Sequence, residues 1–261
     1  MSLRIIYEPS GRAGEYAPLA CNTQIGCSHA CRFCYGPLAA HRRRDDFMAG
    51  ARVVKDVLPR LERDAAEMQA AGDTRTTLFC FLTDPYQVDD PASWELTSQC
   101  LGIMAEHGRP FTVLTKNGYA ARMDFGLYTP TRDTFATSIV HWDDETRANW
   151  EPHAGPLCER WWALEEAIAL GIDTWISVEP VIHPEDALRV IRHADETGVG
   201  HVKIGPLNYH SHRASVDWPA FGEALAETLA GLHNLRYYLK HEMRQYMPPD
   251  FPASTVKEGA R

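Results

Sequence analysis

The chain has 261 residues, of which 44% are hydrophobic and 23% charged, and a formal charge of −9. That length suits one large core of the size usual for an α/β barrel, and the composition is that of an ordinary globular protein. The acidity argues against broad, sequence-independent nucleic-acid binding, which needs a basic face, and no run of about 18 apolar residues predicts a membrane span.

The N-terminus, Met1-Ser2-Leu3-Arg4-Ile5-Ile6-Tyr7-Glu8, lacks the basic-then-apolar pattern of a signal peptide, so a cytoplasmic chain is expected. Residues 19–24 read as a short strand. Across 50–71, Val53, Val54, Val57, Leu58, Leu61, Ala65 and Met68 recur at helical steps, and Pro59 is expected to kink or split that helix. Residues 76–82 form a nearly continuous apolar strand, as in a parallel sheet buried on both faces. Further strands are expected at 110–115, 134–140, 174–178 and 200–204, with a short last one at 235–239. Helices are expected at 92–107, 156–170, 184–197 and 218–232, and 145–156 reads as a polar connection. This alternation predicts α/β architecture: an open, partial (β/α)6 barrel with a parallel sheet, or alternatively a doubly wound sheet. Residues 1–247 read as one domain, followed by a Pro-rich, charged tail at 248–261 that is expected to fray.

Seven cysteines in a chain expected in the cytosol favour metal or redox chemistry over disulfides. Cys80, Cys100 and Cys158 read as small buried hydrophobes, and Cys21 as a strand residue. Gly26-Cys27-Ser28-His29-Ala30-Cys31-Arg32-Phe33-Cys34-Tyr35 holds the spacing CxxxCxxC. Thiolates suit iron–sulfur clusters and zinc. Three thiolates on a 4Fe–4S cluster leave one iron open to a ligand; zinc would need a fourth ligand, which His29 or His41 could supply.

CxxxCxxC with Phe33 before the last cysteine resembles the signature of the radical S-adenosylmethionine (SAM) enzymes. The resemblance implies a cluster on Cys27, Cys31 and Cys34 whose open iron binds SAM. It further implies reductive cleavage to a 5′-deoxyadenosyl radical, hydrogen abstraction from a substrate, and a one-electron donor such as flavodoxin or ferredoxin. It also supports the barrel over the doubly wound sheet.

In β/α barrels chemistry sits at the C-terminal ends of the strands. That rule selects Thr83, Asp84 and Tyr86; Lys116 and Asn117; His141, Trp142 and Asp143; Glu179 and His183; and Asn208, Tyr209 and His210. For bound SAM, Lys116 is the candidate carboxylate partner and Thr83 or Asp84 the acceptor of its amino group. Ser138, favoured over Thr137 by strand alternation, would meet the ribose or carboxylate. Phe33 and Tyr35 would cover the adenine or shield the cluster. Glu179 and Tyr86 are the catalytic candidates. A carboxylate at Glu179 must be paired, with Lys116, Lys203 or the cofactor. Trp142 is the candidate stacking surface for substrate. The run His41-Arg42-Arg43-Arg44 reads as a solvated loop or as a contact for phosphate or a redox partner.

More narrowly, the chain resembles the spore photoproduct lyase-like branch. The resemblance rests on the cysteine motif, Thr83-Asp84-Pro85-Tyr86, Leu114-Thr115-Lys116, and Glu151-Pro152 ahead of a helix with Arg160. It supports Lys116 and Ser138 at SAM and implies a nucleic-acid base or nucleotide as substrate; a peptide or small metabolite is the alternative, as is a non-catalytic metal-binding module. The lyase's hydrogen-donor cysteine falls at Phe81 here, with Cys80 adjacent and expected on the opposite face. The lyase's additional N-terminal segment is also lacking, so repair of spore photoproduct itself is not expected.

Overall fold

Seven parallel strands follow one another across the sheet in chain order in the computed structural model, which describes residues 4–256. The chain begins with β1 (Ile6–Tyr7) and β2 (Leu19–Cys21), then β3 (Gln24–Ile25), α1 (Gly36–Ala39), α2 (Arg44–Met48) and β4 (Arg52–Val53). Next come α3 (Val57–Ala70), β5 (Thr77–Phe79), α4 (Pro91–Glu106), β6 (Phe111–Thr115), α5 (Gly118–Ala121) and β7 (Thr134–Ser138). The remainder comprises α6 (Asp144–Trp150), α7 (Leu157–Ala169), β8 (Asp173–Val181), α8 (Pro184–Thr197), β9 (His201–Pro206), α9 (Trp218–Ala230), β10 (Arg236–Leu239) and α10 (His241–Arg244). The sheet order is β1-β2-β5-β6-β7-β8-β9-β10, with only the β1–β2 pair antiparallel. Its two edges, β1 and β10, do not meet, so the barrel is partial, with one parallel strand more than the expected six.

Each helix that returns the chain buries one apolar face on the sheet. In α3 the inward positions are Val57, Leu61, Ala65 and Met68, spaced by about one turn. Asp64, buried among them, accepts hydrogen bonds from the backbone N–H groups of Ile5 and Ile6 at 2.6 and 3.1 Å, tying down the edge strand. Helix starts are capped as their sequences suggest: Asp90 accepts from the Ser93 amide, Asp143 from Thr146 and Asp217 from Ala220.

Several boundaries differ from those expected. The strand at 19–24 divides at Asn22, whose Oδ1 accepts from the amides of Phe81 and Leu82, and its second half pairs with β4 in a separate ribbon. The expected helix from residue 50 starts only at Val57. Pro59 is then its third residue, where the missing N–H costs no helical bond and no kink is needed. Residues 145–156 include the short helix α6. The strand at 174–178 extends through Glu179 and Pro180 to Val181, with an irregular register between Val178 and Val181. The tail is held rather than frayed as far as residue 256: Leu239 N–H donates to the Ala253 carbonyl and Thr255 N–H to that of Tyr237. Residues 257–261 lie outside the described residues. Among the described residues no helix is long and apolar enough to cross a membrane.

Candidate active site

A cavity of about 590 Å³ opens at the C-terminal ends of the parallel strands. The cysteine stretch, placed between β3 and α1, forms one wall: Cys27, Cys31, Phe33, Cys34 and Tyr35 all line it. The strand ends supply Thr83, Asp84, Lys116, Ser138, Glu179 and Asn208 opposite them. Ten of the eleven residues singled out as catalytic, cofactor-binding or metal candidates therefore share one space.

Tight backbone packing shapes the cysteine stretch. Gly26 adopts φ +109°, and a Cβ there would sit 2.4 Å from the Gly50 carbonyl oxygen, so only glycine fits. At Gly36 a Cβ would meet the Phe47 ring at 2.6 Å and Cys34 Sγ at 3.2 Å, and the Gly36 N–H donates to that sulfur at 3.3 Å. Arg44 donates to the Cys31 carbonyl at 2.6 Å. The last arginine of the basic run thus braces the cysteine stretch.

The thiols are buried enough to stay protonated when bare. Burial pushes Cys27 up to about 12, and it raises Cys31 and Cys34 as well. Among the described residues no three His, Cys, Asp or Glu side chains are gathered as around a single ion. Zinc needs four ligands on one ion, whereas a four-iron cluster takes one thiolate per iron and can leave one iron open. The fourth zinc ligand is not at hand either. His29 Nε2 accepts from the Val88 amide at 3.0 Å and its Nδ1 faces Asp84 Oδ2 at 3.5 Å, while His41 is exposed outside the cavity. Three thiols, a sulfur-directed N–H and a glycine cradle fit a three-thiolate cluster.

Asp84 turns out to be a scaffold carboxylate. It accepts from the Thr115 hydroxyl at 2.6 Å and from the amides of Lys116 at 2.7 Å and Tyr86 at 3.0 Å. Oδ2 holds the Lys116 backbone while Oδ1 ties Thr115 and Tyr86, so both oxygens are engaged by the scaffold, which leaves Thr83 as the better acceptor of a ligand's amino group. Lys116 reaches Glu151 Oε1 at 3.2 Å, and its Nζ lies 5.6 Å from the centre of the Phe33 ring. Ser138 faces the cavity as alternation predicts, whereas the Thr137 hydroxyl donates to the Thr115 carbonyl at 2.7 Å.

Of the two lysines proposed for Glu179, Lys116 pairs with Glu151. Tyr16 donates a hydrogen bond to Oε2, and Lys240 Nζ lies 3.6 Å from the same oxygen and 3.6 Å from the centre of the Tyr16 ring. Burial and the Glu179 charge hold the Tyr16 phenol well above its ordinary range. Lys203 donates instead to the Tyr16 carbonyl at 2.6 Å.

Four expectations fail. Cys158, read as a small buried hydrophobe, is exposed near the start of α7. Tyr86 is fully buried outside the cavity, and its hydroxyl donates to Asp124 Oδ2 at 2.6 Å, so it does not reach reacting atoms. Trp142 is exposed and packs edge-on to His193 at 5.7 Å, away from the cavity. Cys80 does not turn away: β5 ends at Phe79, alternation stops there, and Cys80 and Phe81 both line the cavity. Tyr16 and Lys240 were missed, since neither sits in a motif or after one of the strands used to pick candidates. Glu151 and Arg160 were visible only as parts of a resemblance.

No family model matches the chain. Uncharacterised proteins of Mycobacterium tuberculosis and Mycobacterium bovis are 29% identical over 196 residues, covering 68% of this chain and 56% of theirs. The chain thus spans about half the length of these curated relatives. Among solved structures, spore photoproduct lyase with bound AdoMet and dinucleoside spore photoproduct superposes with a TM-score of 0.59 at 13% identity, over 77% of this chain and 59% of that one. This chain has the fold of spore photoproduct lyase. Streptococcus suis SuiB bound to S-adenosylmethionine superposes with a TM-score of 0.62 at 11% identity, over 90% of this chain and 53% of SuiB. The partial barrel expected from the strand–helix alternation is the architecture found.

Proposed function

We propose that the chain is a radical SAM enzyme. One observation carries the reading: the three cysteines of CxxxCxxC line a single cavity with Lys116 and Ser138, at the strand ends of a fold shared with two proteins solved with S-adenosylmethionine bound. Cys27, Cys31 and Cys34 would hold a 4Fe–4S cluster, which with SAM supplies a 5′-deoxyadenosyl radical able to take a hydrogen atom from substrate. Lys116 is the cation for the SAM carboxylate; Glu151, fully buried, holds its ammonium group at the cavity edge. Ser138 and Thr83 offer hydroxyls to the ribose and amino group. Phe33 and Tyr35 wall off the cysteines from water. Glu179, held by Tyr16 and Lys240, is a fixed acceptor for a substrate N–H or O–H on the far wall. A one-electron donor such as flavodoxin or ferredoxin completes the requirement.

For the substrate, the reading is a nucleic-acid base or nucleotide, by analogy with the dinucleoside held by the lyase. A second reading, a peptide, is favoured by SuiB, which has been solved with its precursor peptide and superposes on this chain with a TM-score of 0.62, against 0.59 for the lyase with its dinucleoside. The formal charge of −9 also suits it.

The test is anaerobic reconstitution with iron and sulfide, then dithionite and SAM, with 5′-deoxyadenosine and methionine as products and Cys31→Ala as control. Products that depend on Cys31 support the reading. A fully loaded protein that neither cleaves SAM nor binds it at the iron overturns it.

A further inference from the structure

A second cavity, of about 400 Å³, opens at the other end of the sheet, where the parallel strands begin. Thr112, Thr134, Thr174, His201 and Arg236 reach it from the first or second positions of β6 to β10. This end of a β/α barrel ordinarily serves stability and is filled by apolar side chains. Here it is polar and rich in hydroxyls.

Its charge is unusual for so acidic a chain. Arg109, Arg132, Lys203 and Arg236 line it, against one carboxylate, Asp173. Arg132 is matched by Asp133 at 2.7 Å. Arg109 is only 6% exposed, its hydrogen bonds go to the carbonyl oxygens of Asp73 and Gly108, and its charge also acts on the Asp73 carboxylate. Its Nε has no hydrogen-bond partner. His201, 7% exposed and stacked on Trp175 at 5.7 Å, has no partner at Nε2. Buried polar groups left unmatched in this way mark the place of a missing acceptor.

We propose that this cavity binds a small molecule through a phosphate group, held by Arg109, His201 and Arg236 with the threonine hydroxyls around them. A tetrahedral anion with several acceptor oxygens answers guanidinium forks and converging hydroxyls together. The volume lies within the range of small-metabolite sites and exceeds a bare ion. Tyr16 lines both cavities, so its ring forms part of the wall between this site and the cysteines. The inference does not depend on the radical SAM reading.

Calorimetric titration of the whole chain with inorganic phosphate tests it, with Arg236→Gln as the main variant because Arg236 is exposed, its melting compared with that of the parent. Saturable one-site binding that weakens roughly tenfold or more in Arg236→Gln, but not in Arg192→Gln on the remote face of α8, is the expected result. His201→Asn should weaken it similarly if that variant melts as the parent does. No saturable binding, or binding unchanged by Arg236→Gln, overturns the proposal.

Discussion

Lys116 Nζ stands 3.2 Å from Glu151 Oε1, and the other oxygen of that wholly buried carboxylate accepts from Arg160 Nη2 at 2.6 Å. Arg160, also fully buried, donates to the carbonyls of Ser138 at 2.7 Å and Gly155 at 3.0 Å. The triad therefore locks the ends of β6 and β7 to the start of α7. Burial alone would raise the Glu151 pKa, but Arg160 and Lys116 outweigh it and bring it down from 4.5 to about 2. A depressed carboxylate contributes its stability in full above the unfolded value and loses it as pH falls through the folded value. Denaturant midpoints should thus fall between pH 4.5 and about 2, and Glu151→Gln should remove that dependence. At neutral pH the same substitution should cost about 3–5 kcal/mol, since it strands a buried cation.

Lys116→Met keeps the stem and deletes the charge. Iron content and the cluster's visible spectrum should stay as in the parent, while SAM affinity falls roughly tenfold to a hundredfold, the worth of one charged hydrogen bond. Equilibrium binding of SAM to the reconstituted variant measures this. Unchanged affinity would remove Lys116 from the cofactor site.

Tyr16→Phe deletes the phenol that donates to Glu179 and leaves Lys240 as the group facing that oxygen. A loss of about 1–3 kcal/mol in urea unfolding is expected for the lost hydrogen bond to a charged acceptor. Glu179→Gln should lower turnover more than SAM cleavage in the absence of substrate, because Glu179 stands at the substrate wall. Equal losses in both would assign it to the cofactor.

Thiol reactivity should sort by burial. Cys158 is exposed, whereas burial pushes Cys80 up to about 11 and raises Cys21 and Cys100. Iodoacetamide at neutral pH should label Cys158 first in the native protein, with Cys80 spared despite lining the cavity. Mass spectrometry of tryptic peptides reads the order directly.

Gly26→Ala forces a side chain against the Gly50 carbonyl 2.4 Å away, at a φ that disfavours it. The cysteine stretch should shift, and reconstituted iron content should drop well below that of the parent while the far-UV dichroism of the sheet and helices remains.

Periodicity and composition alone placed most of the parallel strands and their helices, because a strand buried on both faces and a helix buried on one leave unmistakable spacing in the chain. The strand-end rule then picked Lys116 and Glu179, and strand alternation picked Ser138, all three of which line the cavity, without knowledge of their neighbours. It overreached at Tyr86 and Trp142, since an end position says nothing about where a side chain goes once the turn has formed. Cys80 was misassigned because alternation holds only while pairing continues, and pairing stopped one residue earlier.

CxxxCxxC, the strand–helix alternation and the candidates at the strand ends were all written locally, within a few residues of one another or at repeating intervals. The partners that tune them were not. Glu151 is 35 residues from Lys116 in the chain, Lys240 is 61 from Glu179, and Arg109 and Arg236, 127 residues apart, line one cavity. Charge pairing and desolvation act through space, so only the folded sheet decides which lysine faces which carboxylate, and which cations gather where the strands begin.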